Sequence, residues 1–231
     1  MSIGNVSAVL VHGAWADGSS WSKVIERLQT QGIKSVAAPL PLSSLQDDIA
    51  ALDRTLERVE GPVVLVGHAY AGAVIGSTRA DNVQALVYVA ALAPAEGETV
   101  GDVFYRGETH PQAPRLSPDQ HGLIWLPNEA FAAAFAQHAS AQELTVLGAI
   151  QRPISVSCIG EAVGRPLWKD RPSWFLTAGQ DRMISPDTQY FMAQRMNARV
   201  RSHAVDHTPM VTAPDVVTNV IVEAIEAVSA R

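Results

Sequence analysis

The segment Gly67–Gly72 (GHAYAG) follows a short apolar run, Val63–Val66, and precedes small residues that favour a helix. A strand, a sharp turn and a helix in this order outline a nucleophile elbow, G-x-S-x-G, whose central residue should be an exposed nucleophile. Here that position holds Ala69, and a methyl group cannot attack a carbonyl. The sequence therefore predicts the backbone geometry of an elbow without its usual chemistry.

Two side chains suited to acid–base chemistry follow later strands. Asp181 (GQDRMI) and His207 (VDHTP) each come after a short apolar run, in the chain order elbow, Asp, His. A carboxylate bonded to one ring nitrogen fixes the tautomer of an imidazole, so that the other nitrogen can act as a base. Asp206 is the alternative carboxylate, but side chains of adjacent residues seldom face one partner. We therefore expect the pair His207–Asp181.

A third loop, His12-Gly13-Ala14-Trp15, follows the first predicted strand. Its glycine allows a tight turn whose N–H groups face the edge of the sheet, where they can stabilise an oxyanion. An ordinary turn at the end of a strand is the alternative interpretation. His12 and Trp15 are candidate substrate contacts in this loop.

The elements that must position these loops alternate along the chain. Short apolar runs predict six strands, at Val6–Val11, Ile33–Ala38, Val63–Val66, Val83–Ala90, Ser173–Ala178 and Val200–Val205. Helical patterns separate them, at about 20–31, 44–60, from near 69, and at 186–196 and 214–228. Runs that are apolar on both faces are typical of parallel strands covered by helices. We expect an α/β fold with a doubly wound, mostly parallel sheet, whose carboxyl edge carries the three loops.

Residues 94–170 interrupt this alternation and are rich in Pro, His and Gly. We interpret them as a small, mainly helical insertion in a single domain, 1–231, with helices around Glu129–His138 and Gln142–Ile150. Its Tyr105 and Trp125 are candidates for lining an apolar pocket, with packing or surface roles as the alternative. His68, inside the elbow, either contacts a substrate or packs behind the turn.

Composition excludes several classes of function. The chain has 231 residues, a formal charge of -6 and no basic block, so nucleic acid is not an expected partner. The single cysteine, Cys158, excludes an intrachain disulfide framework and is expected to be a buried, inert thiol. His110, His121 and His138 lack tight metal-ligand spacing, and no phosphate-binding glycine motif occurs, so we predict neither metal nor cofactor.

The N-terminus has no charged start or cleavage signal, and no apolar run reaches the roughly 18 residues of a membrane span. These features predict a cytoplasmic protein that does not enter a membrane. A small-molecule substrate is the expected partner, and a homodimer is left open.

Together, VLVHGAWADGSSW, VVLVGHAYAG, LVYVAALAP, GQDRMI and VDHTP resemble the α/β-hydrolase superfamily. The closer resemblance is to its small esterase-like branch, related to plant hydroxynitrile lyases and methylesterases, and it covers nearly the whole chain. It implies a cap formed by residues 94–170 above a pocket. It also implies an oxyanion hole from the backbone of Ala14 and Tyr70, and a triad of elbow serine, Asp181 and His207.

Ala69 departs from that pattern and leaves three readings open. In the first, a Ser→Ala change has inactivated a serine esterase, and Ala71 in the elbow does not exclude this. Alternatively, alanine is the natural residue, and His207 with Asp181 serves as a general base for water activation, proton abstraction or carbon–carbon cleavage of a small carbonyl or ester-type compound. The third reading is a non-catalytic ligand-binding protein.

Overall fold

The computed structural model of the protein describes residues 5–230. Within them lie eight strands: β1 (Ser7–Val11), β2 (Ser35–Ala38), β3 (Val63–His68), β4 (Val83–Val89), β5 (Leu123–Ile124), β6 (Ile154–Ser155), β7 (Ser173–Ala178) and β8 (Arg199–His203). Six of them form a parallel sheet in the order β2-β1-β3-β4-β7-β8, while β5 and β6 pair as a short antiparallel ribbon. The predicted six-stranded parallel sheet is therefore confirmed.

Helices cover both faces of this sheet. They are α1 (Ser22–Thr30), α2 (Leu45–Leu56), α3 (Ala71–Ser77), α4 (Val100–Phe104), α5 (Asn128–Ala130), α6 (Ala141–Ile150), α7 (Val156–Gly160), α8 (Pro186–Arg195), α9 (Pro209–Thr212) and α10 (Pro214–Ser229). One apolar core joins the sheet to α2 and α3, and a second joins its other face to α1 and α10. Strands β1, β3 and β7 are buried throughout because both of their faces are covered.

The helix after the elbow begins two residues later than the sequence pattern suggests, at Ala71. Ala69 and Tyr70 form the turn between β3 and α3. Helix α2 ends at Leu56, short of the predicted Glu60, and Ser44 caps its N-terminus, because the hydroxyl of Ser44 accepts the backbone N–H of Asp47. Such caps satisfy N–H groups that the first turn of a helix leaves without partners.

The last strand, β8, differs from the expected double coverage. Its sequence is RVRSH, and every residue in it except the partly buried Val200 is exposed. It lies at the edge of the sheet, where β7 is its sole strand neighbour. An edge position permits polar side chains, and Arg201 here forms an ion pair with Glu223 of α10.

The segment between β4 and β7 contains α4 to α7 and the β5–β6 ribbon. The helix expected at Glu129–His138 is instead the short α5 followed by a π-helix, Phe131–Phe135. The N–H of Ala136 reaches back five residues to the carbonyl of Phe131, and Phe131 and Phe135 are both buried. No helix in the described part of the chain is both long and apolar enough to cross a membrane.

Candidate active site

The turn after β3 has the strained geometry of an elbow. Ala69 has a φ of 50°, in the left-handed region that alanine rarely adopts. Its backbone is held on both sides, because its N–H donates to Val89 and its carbonyl accepts the N–H of Leu92 at 2.9 Å. A Cβ on Gly72 would lie 2.3 Å from the carbonyl oxygen of Leu92, so this approach requires glycine. The elbow is thus fully formed around an alanine.

His207 and Asp181 form a buried pair. The Nδ1 of His207 lies 2.7 Å from the Oδ2 of Asp181, and both side chains are almost completely buried. The same carboxylate accepts the N–H groups of Met183 and Ile184 and the side-chain amide of Gln189, all within 2.9 Å. The carboxylate accepts from each of these groups, so it also accepts from the ring of His207, whose proton therefore lies on Nδ1. Its Nε2 lone pair is then the group that can take up a proton.

Asp206, the alternative partner, is engaged elsewhere. Its carboxylate accepts the hydroxyl of Thr212 at 2.6 Å and the backbone N–H groups of His138 and Thr208. Its carboxylate therefore stabilises local loops, while Asp181 faces the ring of His207.

A cavity of about 50 Å³ opens above the elbow. Its lining is apolar apart from His207 and two tyrosines: Ala14, Trp15, Ala69, Tyr70, Leu92, Val100, Phe104, Tyr105, Leu116, Ile124, Ile154, Ile159, Met183, Ile184 and His207. The cavity thus brings together the elbow, the basic side chain and part of the first loop. An outer groove of about 400 Å³ shares Phe104, Tyr105, Leu116 and Met183 with the cavity and adds Thr109 and Arg115.

The first loop is fixed against the insertion. The indole N–H of Trp15 donates to the carbonyl of Ile124 in β5, and the backbone N–H of Trp15 donates to Arg152. Within residues 5–230, by contrast, the N–H groups of Ala14 and Tyr70 donate to no protein acceptor. Both residues line the cavity, so these two groups are the ones the expected oxyanion hole would use.

Three expected substrate contacts lie outside the lining of the cavity. The buried ring of His12 donates to the carbonyl of Gly13 and accepts the N–H of Leu40, while burial lowers its pKa. The His68 ring is occupied by the backbone carbonyl of His207. Trp125 is half exposed and donates to Asp119 at the surface. In each case the side chain that was predicted to contact a substrate forms a hydrogen bond with another polar group of the protein.

Sequence reasoning missed Asp48, whose carboxylate is completely buried and accepts the hydroxyl of Tyr70. A signal was available, because Asp48 falls three residues after Leu45 and four before Leu52, on the buried face of α2. Cys158 is also buried near this carboxylate, and burial raises the pKa of its thiol to about 12. No group of three or more His, Cys, Asp or Glu side chains in the described chain is arranged to hold a metal ion.

Comparison with known proteins adds a family match over residues 8–220, to the model described as Alpha/beta hydrolase family. A pyrethroid hydrolase from Sphingobium faniae JZ-2 has a similar fold (TM-score 0.82, 20% identity, 98% of this chain and 100% of that one). So do a polyneuridine aldehyde esterase (0.78, 17%, 94% and 98%) and a methylesterase from Arabidopsis (0.77, 16%, 96% and 99%). No curated protein sequence gave a match.

Proposed function

The chain belongs to the α/β-hydrolase family, and from that premise we propose that its cavity takes a small, apolar ester or carbonyl compound on which His207 acts as a general base. One observation carries the proposal: the buried contact of 2.7 Å between His207 and Asp181, at the edge of an apolar cavity. Asp181 holds the ring in one tautomer and stabilises the imidazolium that forms when Nε2 takes up a proton.

Because residue 69 is an alanine, the proton that His207 removes cannot come from a hydroxyl at the elbow. Without a hydroxyl at the elbow, no acyl-enzyme can form at this position. His207 therefore removes a proton from water, which attacks the substrate carbonyl directly, or from the substrate itself. In either case negative charge develops on the carbonyl oxygen, and we assign its stabilisation to the N–H groups of Ala14 and Tyr70.

The dimensions of the site support a division of the substrate into two parts. The inner cavity of about 50 Å³ suits a short apolar group beside the reacting carbonyl. The outer groove is larger, at about 400 Å³, and suits the remainder of the molecule. Residues 94–170 act as a cap in this proposal, because Phe104, Leu116 and Ile124 from that segment form part of the cavity wall.

A second candidate function, non-catalytic ligand binding, is favoured by Ala69 itself. The cavity, the elbow backbone and the His207–Asp181 pair would then be retained only as structure. Binding without turnover separates this candidate from the first.

The test is hydrolysis of p-nitrophenyl acetate and butyrate by the chain as it stands and by His207→Gln, Ala69→Ser and the double variant. We expect slow turnover that His207→Gln lowers at least about 100-fold, and a burst of p-nitrophenol from Ala69→Ser alone. Turnover that appears only with Ala69→Ser would refute the proposed serine-independent reaction. Binding of both esters by the unchanged chain, with no turnover by that chain or by Ala69→Ser, would establish the second candidate.

The codon for residue 69 in the encoding gene is a separate control. An alanine codon agrees with a natural serine-independent site. A serine codon would make this chain an inactivated serine hydrolase, and the Ala69→Ser variant would then represent the natural enzyme.

A further inference from the structure

A buried carboxylate lies directly behind the elbow. Asp48 is completely inaccessible to solvent, and its Oδ2 accepts the hydroxyl of Tyr70 at 2.7 Å. Its Oδ1 accepts the backbone N–H of Leu42 at 2.7 Å, and the thiol of Cys158 lies 3.6 Å from Oδ2. Among the described residues, no cationic side chain forms an ion pair with Asp48.

A buried carboxylate without a cationic partner is unfavourable for the free energy of folding, so a purely structural position would not need one. Burying a carboxylate without a cation opposes folding, and burial accordingly raises the pKa of Asp48. Leu45 and Leu52 on the same face of α2 show that apolar side chains pack well there. The contacts of Asp48 therefore point to a role in fixing its donors rather than in filling the core.

The position of Tyr70 suggests what is being fixed. Tyr70 follows Ala69 directly, lines the cavity, and carries one of the two N–H groups assigned above to the developing oxyanion. Its backbone belongs to the strained turn at Ala69, where φ is 50°. The Asp48 contact fixes the far end of the tyrosine side chain and so limits the positions that its backbone can take.

We propose that Asp48 is a positioning residue, which holds Tyr70 through its hydroxyl so that the Tyr70 N–H points at the carbonyl oxygen of the bound substrate. This inference rests on the proposed function of the cavity. Asp48 does not touch the substrate, and its effect on the reaction passes entirely through Tyr70. Misplacing a preorganised donor by a fraction of an ångström weakens the stabilisation of the transition state while leaving substrate binding nearly unchanged.

The chain contains a matched control for this contact. Helices α2 and α3 are connected at their other ends by a second hydroxyl–carboxylate bond, from Thr78 to Asp53 at 2.5 Å. Thr78 is buried as Tyr70 is, but it lies at the far end of α3 from the elbow. Removing either bond therefore loosens the same pair of helices. Only loss of the Tyr70–Asp48 bond affects a residue that lines the cavity.

The first experiment uses the Ala69→Ser background, in which acylation by p-nitrophenyl butyrate reports directly on oxyanion stabilisation. Tyr70→Phe should lower the acylation rate at saturating ester at least about tenfold and change KM less than about twofold. Asp48→Asn should retain most of the rate, because the amide still bonds the Tyr70 hydroxyl. Thr78→Val should lower thermal stability, as Tyr70→Phe does, with no change in rate.

The second experiment needs no serine. The unchanged chain is titrated with n-propylphosphonate, an anionic mimic of the tetrahedral transition state, and with neutral butyramide. Tyr70→Phe should weaken phosphonate binding at least about fivefold and leave butyramide binding within about twofold. Thr78→Val should alter neither.

Equal effects of Tyr70→Phe and Thr78→Val in both experiments, or no effect of either, would overturn the role of Asp48. That result is distinct from failure of the proposed serine-independent reaction, in which the unchanged chain turns over neither ester, because the role of Asp48 is measured by acylation of Ala69→Ser and by ligand binding. If the unchanged chain binds neither ligand and Ala69→Ser is also inactive, both proposals are overturned together.

Discussion

The ring of His68 donates its Nε2–H to the backbone carbonyl of His207, 2.7 Å away. A carbonyl can only accept, so this contact places the proton of the neutral ring on Nε2. The two imidazole rings lie 4.8 Å apart between centroids, and Phe135 packs against both. His68 thus packs against the catalytic candidate without itself lining the cavity.

This contact predicts an acid-sensitive fold. Complete burial, and secondarily the proximity of His207, hold the pKa of His68 well below 6.5, its ordinary value in an unfolded chain. Below pH 6.5 the unfolded state binds a proton that the folded state does not, so the free energy of unfolding should fall as the pH drops. His68→Gln retains a donor to the His207 carbonyl and removes that titration. The slope of stability against pH should then decrease by up to about 1.4 kcal/mol per pH unit.

Urea unfolding at pH 7.5, 6.0 and 5.0 measures this slope. His203→Gln, at the exposed edge strand, is the control and should leave the slope unchanged. His12 is also buried with a lowered pKa, so some acid sensitivity should persist in His68→Gln. An unchanged slope in His68→Gln would show that this ring does not contribute.

The carboxylate of Asp181 should matter for stability as well as for turnover. Asp181→Ala leaves buried donors on Met183, Ile184, Gln189 and His207 without their acceptor. We expect a loss of roughly 2–4 kcal/mol in the free energy of unfolding, and at least about a 100-fold loss of any turnover that depends on His207.

Denaturant titration of Asp181→Ala beside Asp215→Ala tests the stability effect. Asp215 is an exposed partner of Arg27, so its removal should change stability by less than about 1 kcal/mol. Comparable losses in both variants would mean that the hydrogen bonds of Asp181 contribute no more to the free energy of unfolding than an exposed ion pair does.

Relief of backbone strain should be measurable at the elbow. Ala69 adopts a left-handed conformation that glycine reaches without steric conflict. Ala69→Gly should therefore raise the free energy of unfolding by about 0.5–1 kcal/mol. The matched variant Ala73→Gly, two residues into α3, should lower it by a similar amount, because glycine weakens a helix. A loss of stability in both variants would contradict the strained turn.

The close approach behind the elbow predicts the opposite behaviour for a neighbouring glycine. In Gly72→Ala the new methyl group would lie 2.3 Å from the carbonyl oxygen of Leu92 and 2.9 Å from Ala91. The backbone must shift, so we expect a loss of about 2 kcal/mol or more, with reduced activity in the Ala69→Ser background. Gly160→Ala has no atom within 4 Å of the added carbon and should be nearly neutral. Thermal unfolding measures both variants, and equal stability of Gly72→Ala and Gly160→Ala would contradict the close approach.

The sequence predicts correctly those elements whose bounds depend on neighbouring residues in the chain. Strand β7 falls at the predicted Ser173–Ala178, because a short, mostly apolar run between a proline, Pro172, and a glycine, Gly179, determines its own limits. The elbow was identified for a similar reason, since its flanking small residues reflect backbone contacts such as that of Gly72 with Leu92.

Side-chain partners over long distances were not accessible in the same way. The pattern places His12 and His68 at the ends of strands, but the His12 ring also accepts the N–H of Leu40 and the His68 ring contacts the carbonyl of His207, and both partners lie far away in the chain. The π-helix Phe131–Phe135 depends on tertiary packing too, because Arg182 donates to the carbonyl of Ala133 within it. Alanine-rich composition favours helix and carries no information about such a shift of hydrogen bonds.

The polar edge strand has a consequence for the protein at high concentration. An open strand edge is a template on which a second molecule can add its own strand and begin ordered aggregation. Along β8, Arg199 is exposed and the exposed Arg201 is paired with Glu223, so a strand added by another copy would have to pack beside charged side chains. The exposed arginines of β8 therefore disfavour self-association through this edge of the sheet.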